Sequence, residues 1–362
     1  RQRNEDCTMK LTRSEFQNYI HSYEQDEIFY RDLYFAEKEH PETFMEYCQS
    51  LDREMITQRK LYVPALRKEG WLPYLNEGTL FQDFTGDIML SKHYRYTPAF
   101  AHEHEFFEIM CIYDGTVKTT IQGIPHTLQQ GDVCIIPPHT RHSVSIFDDS
   151  IAINILVRTS AFQSTFFQTL TADSALSQFF THVLYHKTEG NFLIFHTGND
   201  KIVMKSVEKL FIEYLGHEKY SYTFLNSMLI LFWAKLLRYH ENDIESILTR
   251  ETTGSSMTEI LNYLNQNYQT ATLKDAATHF GYSSSHFSKL IKEGTGRTFL
   301  QIIRDIKLNQ ACRALRETTL SIPSICKLVG YETTEHFMRT FKKAYGMTPG
   351  EYRKTSSSLL EK

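Results

Sequence analysis

Four side chains stand out for the chemistry that their types and spacing allow. His102, His104 and Glu108 fall in the run His102-Glu-His104-Glu-Phe106-Phe-Glu108, with Gly115 beyond it, a pattern of H-x-H-x3-E-x6-G. His142 follows later, after Gly131 and Pro137. Residues of equal parity share one face of an extended strand. His102, His104, Phe106 and Glu108 are therefore expected to point the same way, with His142 reaching them from a neighbouring strand. Three imidazoles and one carboxylate, from His102, His104, Glu108 and His142, suit a divalent metal such as Zn, Fe, Mn or Ni. The same groups can equally serve as hydrogen-bonding partners for an organic ligand held without metal. On either reading His102, His104, Phe106, Glu108 and His142 line a pocket. Tyr94, Phe106 and Tyr113 are candidate walls, and plain core packing is the competing role for each.

A second set of residues suits a polyanion. Leu273–Tyr282 and Ile322–Tyr331 form an internal repeat. Leu273, Ala276, Ala277 and Phe280 match Ile322, Ile325, Cys326 and Val329 at an offset of 49. Past the shared glycines, Gly281 and Gly330, the offset is 50, and it pairs Phe287 with Phe337, Lys289 with Arg339, and Lys292 with Lys342. Each copy has the parts of a helix-turn-helix. A short helix carries small or apolar residues on one face, a glycine permits a left-handed turn, and Ser283 or Thr333 caps a second helix. That second helix is expected to bury Phe287, Leu290 and Ile291 in one copy, and Phe337, Thr340 and Phe341 in the other. The opposite face then presents Ser285, Ser288, Lys289 and Lys292, or Thr334, Glu335, Met338, Arg339 and Lys342, which are mostly short polar groups and cations suited to base edges and phosphates. An all-helical bundle with a solvated basic face is the bland alternative.

The elements that must position these residues change character along the chain. Residues 1–76 carry apolar side chains at helical spacing, such as Phe16, Tyr19, Ile20 and Tyr23, and read as a helical N-terminal extension. Short β-branched and aromatic runs separated by Gly and Pro fill residues 77–158, which predicts a β-barrel or sandwich. Its expected strands are Asp87–Tyr96, Phe106–Tyr113, Val117–Ile121, Asp132–Ile136, His142–Phe147 and Ile151–Val157. Helical periodicity is expected throughout 159–249, where Phe224, Leu225, Met228, Leu229 and Phe232 suit a core or a dimer interface. Residues 250–256 (RETTGSS) read as a linker, and 257–355 as an all-α block.

Composition narrows the classes. With 362 residues, 41% of them hydrophobic, and 25 Phe and 21 Tyr, the chain is long and apolar enough for two or three packed units. Its longest apolar stretch, Met228–Leu237, is half the length of a membrane span and contains Lys235. The six cysteines form no C-x-x-C pair and the first residues have no apolar core, so a reduced, cytoplasmic protein is expected. The net charge is −4, but Ser255–Thr355 holds 14 Lys+Arg against 8 Asp+Glu, or +6, and the remainder carries −10. A basic block on an acidic body fits one unit that meets a polyanion and another that does not.

The segment Leu273–Arg353 resembles the double helix-turn-helix domain of the AraC/XylS family of bacterial transcription regulators. The resemblance lies in Ser321–Tyr331, in His336-Phe337-Met338-Arg339-Thr340-Phe341-Lys342-Lys343 and in Gly346-Met347-Thr348-Pro349-Gly350-Glu351-Tyr352-Arg353. Cys326 stands where the family usually has Ala, and Pro323 lies in a first turn, where it is tolerated. The middle segment resembles a cupin, with His139 and Ile146 departing from the second motif, and sensor domains of this family often look like cupins. The resemblance implies two recognition helices in successive major grooves, a small-molecule effector such as a sugar, a promoter as the DNA partner, and a homodimer, with no membrane association. The fold class expected is thus α+β multidomain. Two competing functions remain: a metal-dependent cupin isomerase or dioxygenase fused to a DNA-binding domain, and a regulator read by a protein partner through its N-terminal helices.

Overall fold

The computed structural model describes residues 11–66, 74–81, 86–166, 192–216, 218–246 and 255–357. It divides into two compact units, one built on residues 1–76, 88–159 and 190–247, the other on 77–87, 160–189 and 248–362. Most of the expected linker at 250–256, Cys7, and much of the expected helical run after 158 lie outside the described residues.

The first unit begins with four helices, α1 (Arg13–His21), α2 (Gln25–Glu39), α3 (Phe44–Ser50) and α4 (Arg53–Gln58). Thr12 and Glu15 close a capping box at the start of α1, which satisfies amides the helix cannot bond itself. Strands follow: β1 (Tyr74–Leu75), β2 (Ile88–Lys92), β3 (Glu103–His104), β4 (Phe107–Asp114), β5 (Thr116–Ile121), β6 (Ile124–Gln129), β7 (Val133–Ile136), β8 (His142–Ser145), β9 (Ile151–Val157), β10 (Leu193–Phe195) and β11 (Ile244–Ser246). Helices α7 (Lys201–Gly216) and α8 (Ser221–His240) lie between β10 and β11, while α5 (Glu77–Leu80), between β1 and β2 in chain order, and nearly all of α6 (Thr159–Phe166), after β9, fall in the second unit.

Two antiparallel sheets, in the orders β11-β10-β7-β4-β9-β2 and β6-β5-β8, form the sandwich. Their facing side chains make one apolar core, including Met110 and Ile112 of β4, Val117 and Ile121 of β5, Cys134 and Ile136 of β7, and Ala152 of β9. Strand β9 is buried at every position, so both of its faces are covered.

Five strands lie beyond those read from the sequence, among them the two-residue pair β1 and β3. Strand β6 contains Pro125, which is compatible only with the sheet edge it occupies. Strands β10 and β11 have three residues each and extend the large sheet from the region expected to be entirely helical. The N-terminal helices belong to the same unit as the sandwich. Glu27 of α2, which no water reaches, accepts hydrogen bonds from Lys92 Nζ at 2.6 Å and Arg95 Nε at 2.8 Å, next to strand β2. Tyr30 and Leu33 of α2 pack with Cys48, Ile56 and Tyr96 in a satellite core.

The second unit carries α9 (Ser255–Asn267), α10 (Leu273–His279), α11 (Ser284–Thr295), α12 (Phe299–Glu317), α13 (Ile322–Leu328), α14 (Thr334–Tyr345) and α15 (Pro349–Ser357). Thr272, Ser283, Thr298, Ser321 and Thr333 cap five of these through their side-chain hydroxyls. Gly281 and Gly330 hold the left-handed turns at φ +74° and +80°. Burial repeats from copy to copy: Ala276, Ala277, Phe287 and Ile291 are enclosed, as are Ile325, Cys326, Phe337 and Phe341. Leu290 and Thr340, expected inside, are only half-buried. Among the described residues no helix is long and apolar enough to cross a membrane, and the five described cysteines are buried and in no disulfide.

Candidate functional site

The register of the sandwich assembles the first site. Glu108 pairs with Leu156 and Met110 with Asn154, so Glu108 lies on the same sheet face as Met110 of the inner core. His102 forms a two-way bridge with His142, each amide donating to the other's carbonyl at 2.9 and 3.0 Å. All four sequence-predicted ligands thereby converge. His104 Nε2 lies 3.1 Å, and His142 Nε2 3.3 Å, from Glu108 Oε2. The rings of His102 and His142 are 4.2 Å apart, and Phe106 stacks on His104 at 4.3 Å. His104 and His142 are almost wholly enclosed, at 0% and 1% exposure, and Phe106 and Glu108 are buried as well.

Burial opposes the charge on Glu108, but the hydrogen bonds from His104 and His142 outweigh it and hold the carboxyl well below its ordinary range. Burial, reinforced by His142, pushes His102 down to about 3, which keeps that imidazole neutral. The Nδ1–H groups of His102 and His142 donate to the carbonyls of Phe100 and Thr140, at 3.2 and 2.9 Å. The Nε2 of His102 is thus left with a lone pair, while that of His142 faces Glu108 Oε2. This backbone tether on the distal nitrogen is the arrangement that orients metal-ligating histidines. Ligand atoms of His102, Glu108 and His142 lie within 4.8 Å of one another. The donor set therefore fits a divalent metal, with His104 beside it.

Two polar residues of this site were not singled out from the sequence. Asn154 is buried, its Oδ1 has no hydrogen-bond partner among the described residues, and it shares with Leu156 the face that carries Glu108. The signal was present as one amide inside the apolar run Ile151-Ala-Ile-Asn154-Ile-Leu-Val157. His93 is the other: burial lowers its pKa, and both Glu108 and His142 act on it electrostatically. Tyr94 and Tyr113 are engaged elsewhere. Tyr94 donates to Glu24 at 3.2 Å and Tyr113 to Glu208 at 2.8 Å.

The second site is the outer face of the two helix-turn-helix copies. Ser285, Lys289 and Lys292 of α11 are exposed, as are Glu335, Arg339 and Lys342 of α14. Ser288, Thr334 and Met338 are half-buried rather than fully presented. Lys289 faces Glu293 one turn away at 3.7 Å, whereas Arg339 makes no ion pair among the described residues. The matched positions therefore share a backbone frame and differ in which cation is available.

A sandwich enclosing a polar cluster, together with paired helix-turn-helix motifs, defines an effector-responsive transcription regulator. A family profile for the AraC-like ligand binding domain matches residues 89–189, and one for a helix-turn-helix domain matches residues 276–355. The transcriptional activator RhaS of Klebsiella pneumoniae (strain 342) is 25% identical over 266 residues, covering 72% of this chain and 89% of its own. RhaS of Escherichia coli (strain K12 / DH10B) is 24% identical over 262 residues, with the same two coverages. Among solved structures, fatty-acid-bound ToxT from Vibrio cholerae is 17% identical with a TM-score of 0.32, over 74% of this chain and 94% of its own. The C-terminal domain of AraT from Geobacillus stearothermophilus is 29% identical with a TM-score of 0.28, over 29% of this chain and 88% of its own. The chain belongs to the AraC/XylS family of transcriptional regulators.

Proposed function

We propose that the effector of this regulator binds inside the sandwich against His93, His102, Glu108, His142 and Asn154. The observation that carries this reading is the set of buried polar atoms there without partners among the described residues: Asn154 Oδ1 and His104 Nδ1. A buried acceptor left unpaired costs about 1–3 kcal/mol, so its retention suggests a ligand that completes it. Several acceptors and neutral imidazoles around one carboxylate favour a hydroxylated molecule, with a sugar as the leading class. Thermal-shift measurements against a panel of monosaccharides and sugar acids test this. A stabilising sugar whose effect disappears in Glu108→Gln and Asn154→Leu supports the reading, and a panel without response counts against it.

A divalent metal at the same place is favoured by the backbone-tethered Nδ1 atoms of His102 and His142. His102, Glu108 and His142 would hold it, with His104 alongside, and a bound ion would polarise an effector hydroxyl or carboxylate. Metal analysis of protein purified without a histidine tag decides between the two modes. We read the barrel as a binding site without turnover; substrate conversion abolished by Glu108→Gln would restore the isomerase or dioxygenase reading.

On DNA, we assign Arg339 to base readout and Lys292 and Lys342 to phosphates, with Ser285, Ser288, Lys289, Thr334, Glu335 and Met338 completing the two faces. Selection of bound fragments from genomic DNA tests this assignment and yields the promoter. We further propose a cytoplasmic homodimer joined through α8. Leu225, Leu229 and Phe232 of α8 are used in the core of this chain, but Phe224 and Leu231, seven residues apart, are 54% and 57% exposed. Sedimentation of Leu231→Glu as a monomer, beside a dimeric parent, would support that interface. The N-terminal helices, tied in at Glu27, are read as part of the sensor rather than as a free partner surface.

A further inference from the structure

The two helix-turn-helix copies repeat in sequence and burial, but their turns are held differently. At Gly281 an added Cβ would meet nothing within 4 Å. At Gly330 it would lie 2.7 Å from the carbonyl oxygen and 2.9 Å from the Cα of Gln269. Gln269 sits in the turn after α9, three residues before the Thr272 cap of the first copy. Its side-chain Nε2 donates to the carbonyl of Leu328 at 2.8 Å, at the end of α13 in the second copy. From another element, Lys307 in the middle of α12 donates through Nζ to the Gly330 carbonyl at 2.6 Å, and its ammonium lies 5.6 Å from the centre of the Tyr331 ring. The second turn is therefore gripped by the segment that starts the first copy and by the helix that joins the copies. Among the described residues the first turn has no such neighbour at its glycine.

We propose that Gln269 and Lys307 are positioning residues that fix the second helix-turn-helix against the first, and thereby set the spacing between DNA half-sites that the chain accepts. This rests on the DNA-binding reading above. The leverage is direct, because α14 begins at Thr334, four residues past Gly330, so a shift of the gripped turn carries the recognition helix with it. Neighbouring base pairs are only about 3.4 Å apart along the duplex, and a groove recurs about every 10.5 base pairs, so a small displacement changes the register that is read.

The test uses the full-length protein and a duplex selected by it from genomic DNA, together with versions in which one or two base pairs are inserted or removed between the half-sites. Each half-site alone serves as a control. The parent should lose about tenfold in affinity for a one-base-pair change, comparable to a mismatch in the site. In Gln269→Ala/Lys307→Met that penalty should fall to about threefold, with each half-site alone bound as before. A spacing profile as steep as the parent's overturns the proposal. So does an equal loss on every duplex including the single half-sites, which would mark the pair as merely structural. If the double variant fails to fold, the exposed Gln269→Ala is taken through the same series, and an unchanged profile there overturns the grip through Gln269. A parent that binds no duplex at all defeats the DNA-binding reading itself, an outcome distinct from a flat or steep profile.

Discussion

In the sensor unit the candidate residues are enclosed, whereas on the helix-turn-helix copies they stand in solvent. Glu108, His104 and His142 are packed among apolar strands, and each polar atom there needs a partner from the protein or from a ligand. Arg339 and Lys342 are exposed, and water meets their needs. The two surroundings set different constraints on change. An enclosed site couples function to stability, so its substitutions should disturb both. An exposed face separates them, so its substitutions should alter binding and leave folding nearly untouched.

The largest expected effect tests the enclosed side. Glu27 is the only carboxylate hydrogen-bonded to both Lys92 and Arg95 among the described residues, and all three are buried. Glu27→Ala should cost about 3–5 kcal/mol in urea unfolding, because buried Lys92 loses its counter-charge and buried Arg95 keeps only the exposed Asp149, 3.9 Å away. The pH dependence follows the same contacts. Burial favours the protonated form of Glu27, but its hydrogen bonds with Arg95 and Lys92 outweigh that and lower its pKa. A depressed carboxyl contributes stability above its unfolded pKa of about 4.3 and loses it as pH falls through the folded value. The parent should therefore weaken below about pH 4 more steeply than Glu27→Gln. Equal acid limbs would show that this cluster does not couple protonation to folding.

On the exposed side the effects fall on DNA. Arg339→Ala should weaken binding to a selected site by about 1–3 kcal/mol and relax preference at one position. Its unfolding midpoint should stay within about 0.5 kcal/mol of the parent's stability. An equal loss on selected and random duplexes would reassign Arg339 to a phosphate. Lys342→Ala should instead lower the slope of log affinity against log salt by about 1, uniformly across sequences. The contrast with the sensor fails if either change unfolds the protein.

The caps give the next smaller effect and bear on how much the sequence revealed. Thr333→Ala removes the hydroxyl that accepts from the His336 amide at 3.3 Å, and should cost about 1 kcal/mol by thermal unfolding. That cap, the glycine turn and the buried Phe337 and Phe341 were all legible, because helix signals are local and were written twice. The histidine cluster was legible for a related reason: strand parity places His102, His104 and Glu108 together once an extended segment is assumed. Strands β10 and β11 were not legible, since three residues carry no period and their partners are far away in sequence. The tie between Glu27 and Arg95 was hidden likewise, because a lone glutamate on an amphipathic helix looks solvated until the turn after β2, 68 residues later, meets it. Asn154 escaped notice because β9 is buried on both faces, which erases the alternation that would have marked one side.

Asn154 also provides the smallest expected change in stability and the sharpest test of the comparison. Most buried polar residues are costly to replace because a partner is left behind. The Oδ1 of Asn154 has no partner to leave among the described residues. Asn154→Leu, close in volume and apolar, should therefore leave urea stability within about 1 kcal/mol of the parent or raise it. In the presence of a stabilising effector the two proteins should separate, the parent gaining thermal stability and the variant gaining none. Such a result would place the cost of the unpaired oxygen on the unliganded state and its compensation on the ligand. A variant that is clearly less stable in the absence of effector, and still responds to it, would make Asn154 an ordinary core residue and move the effector elsewhere in the sandwich.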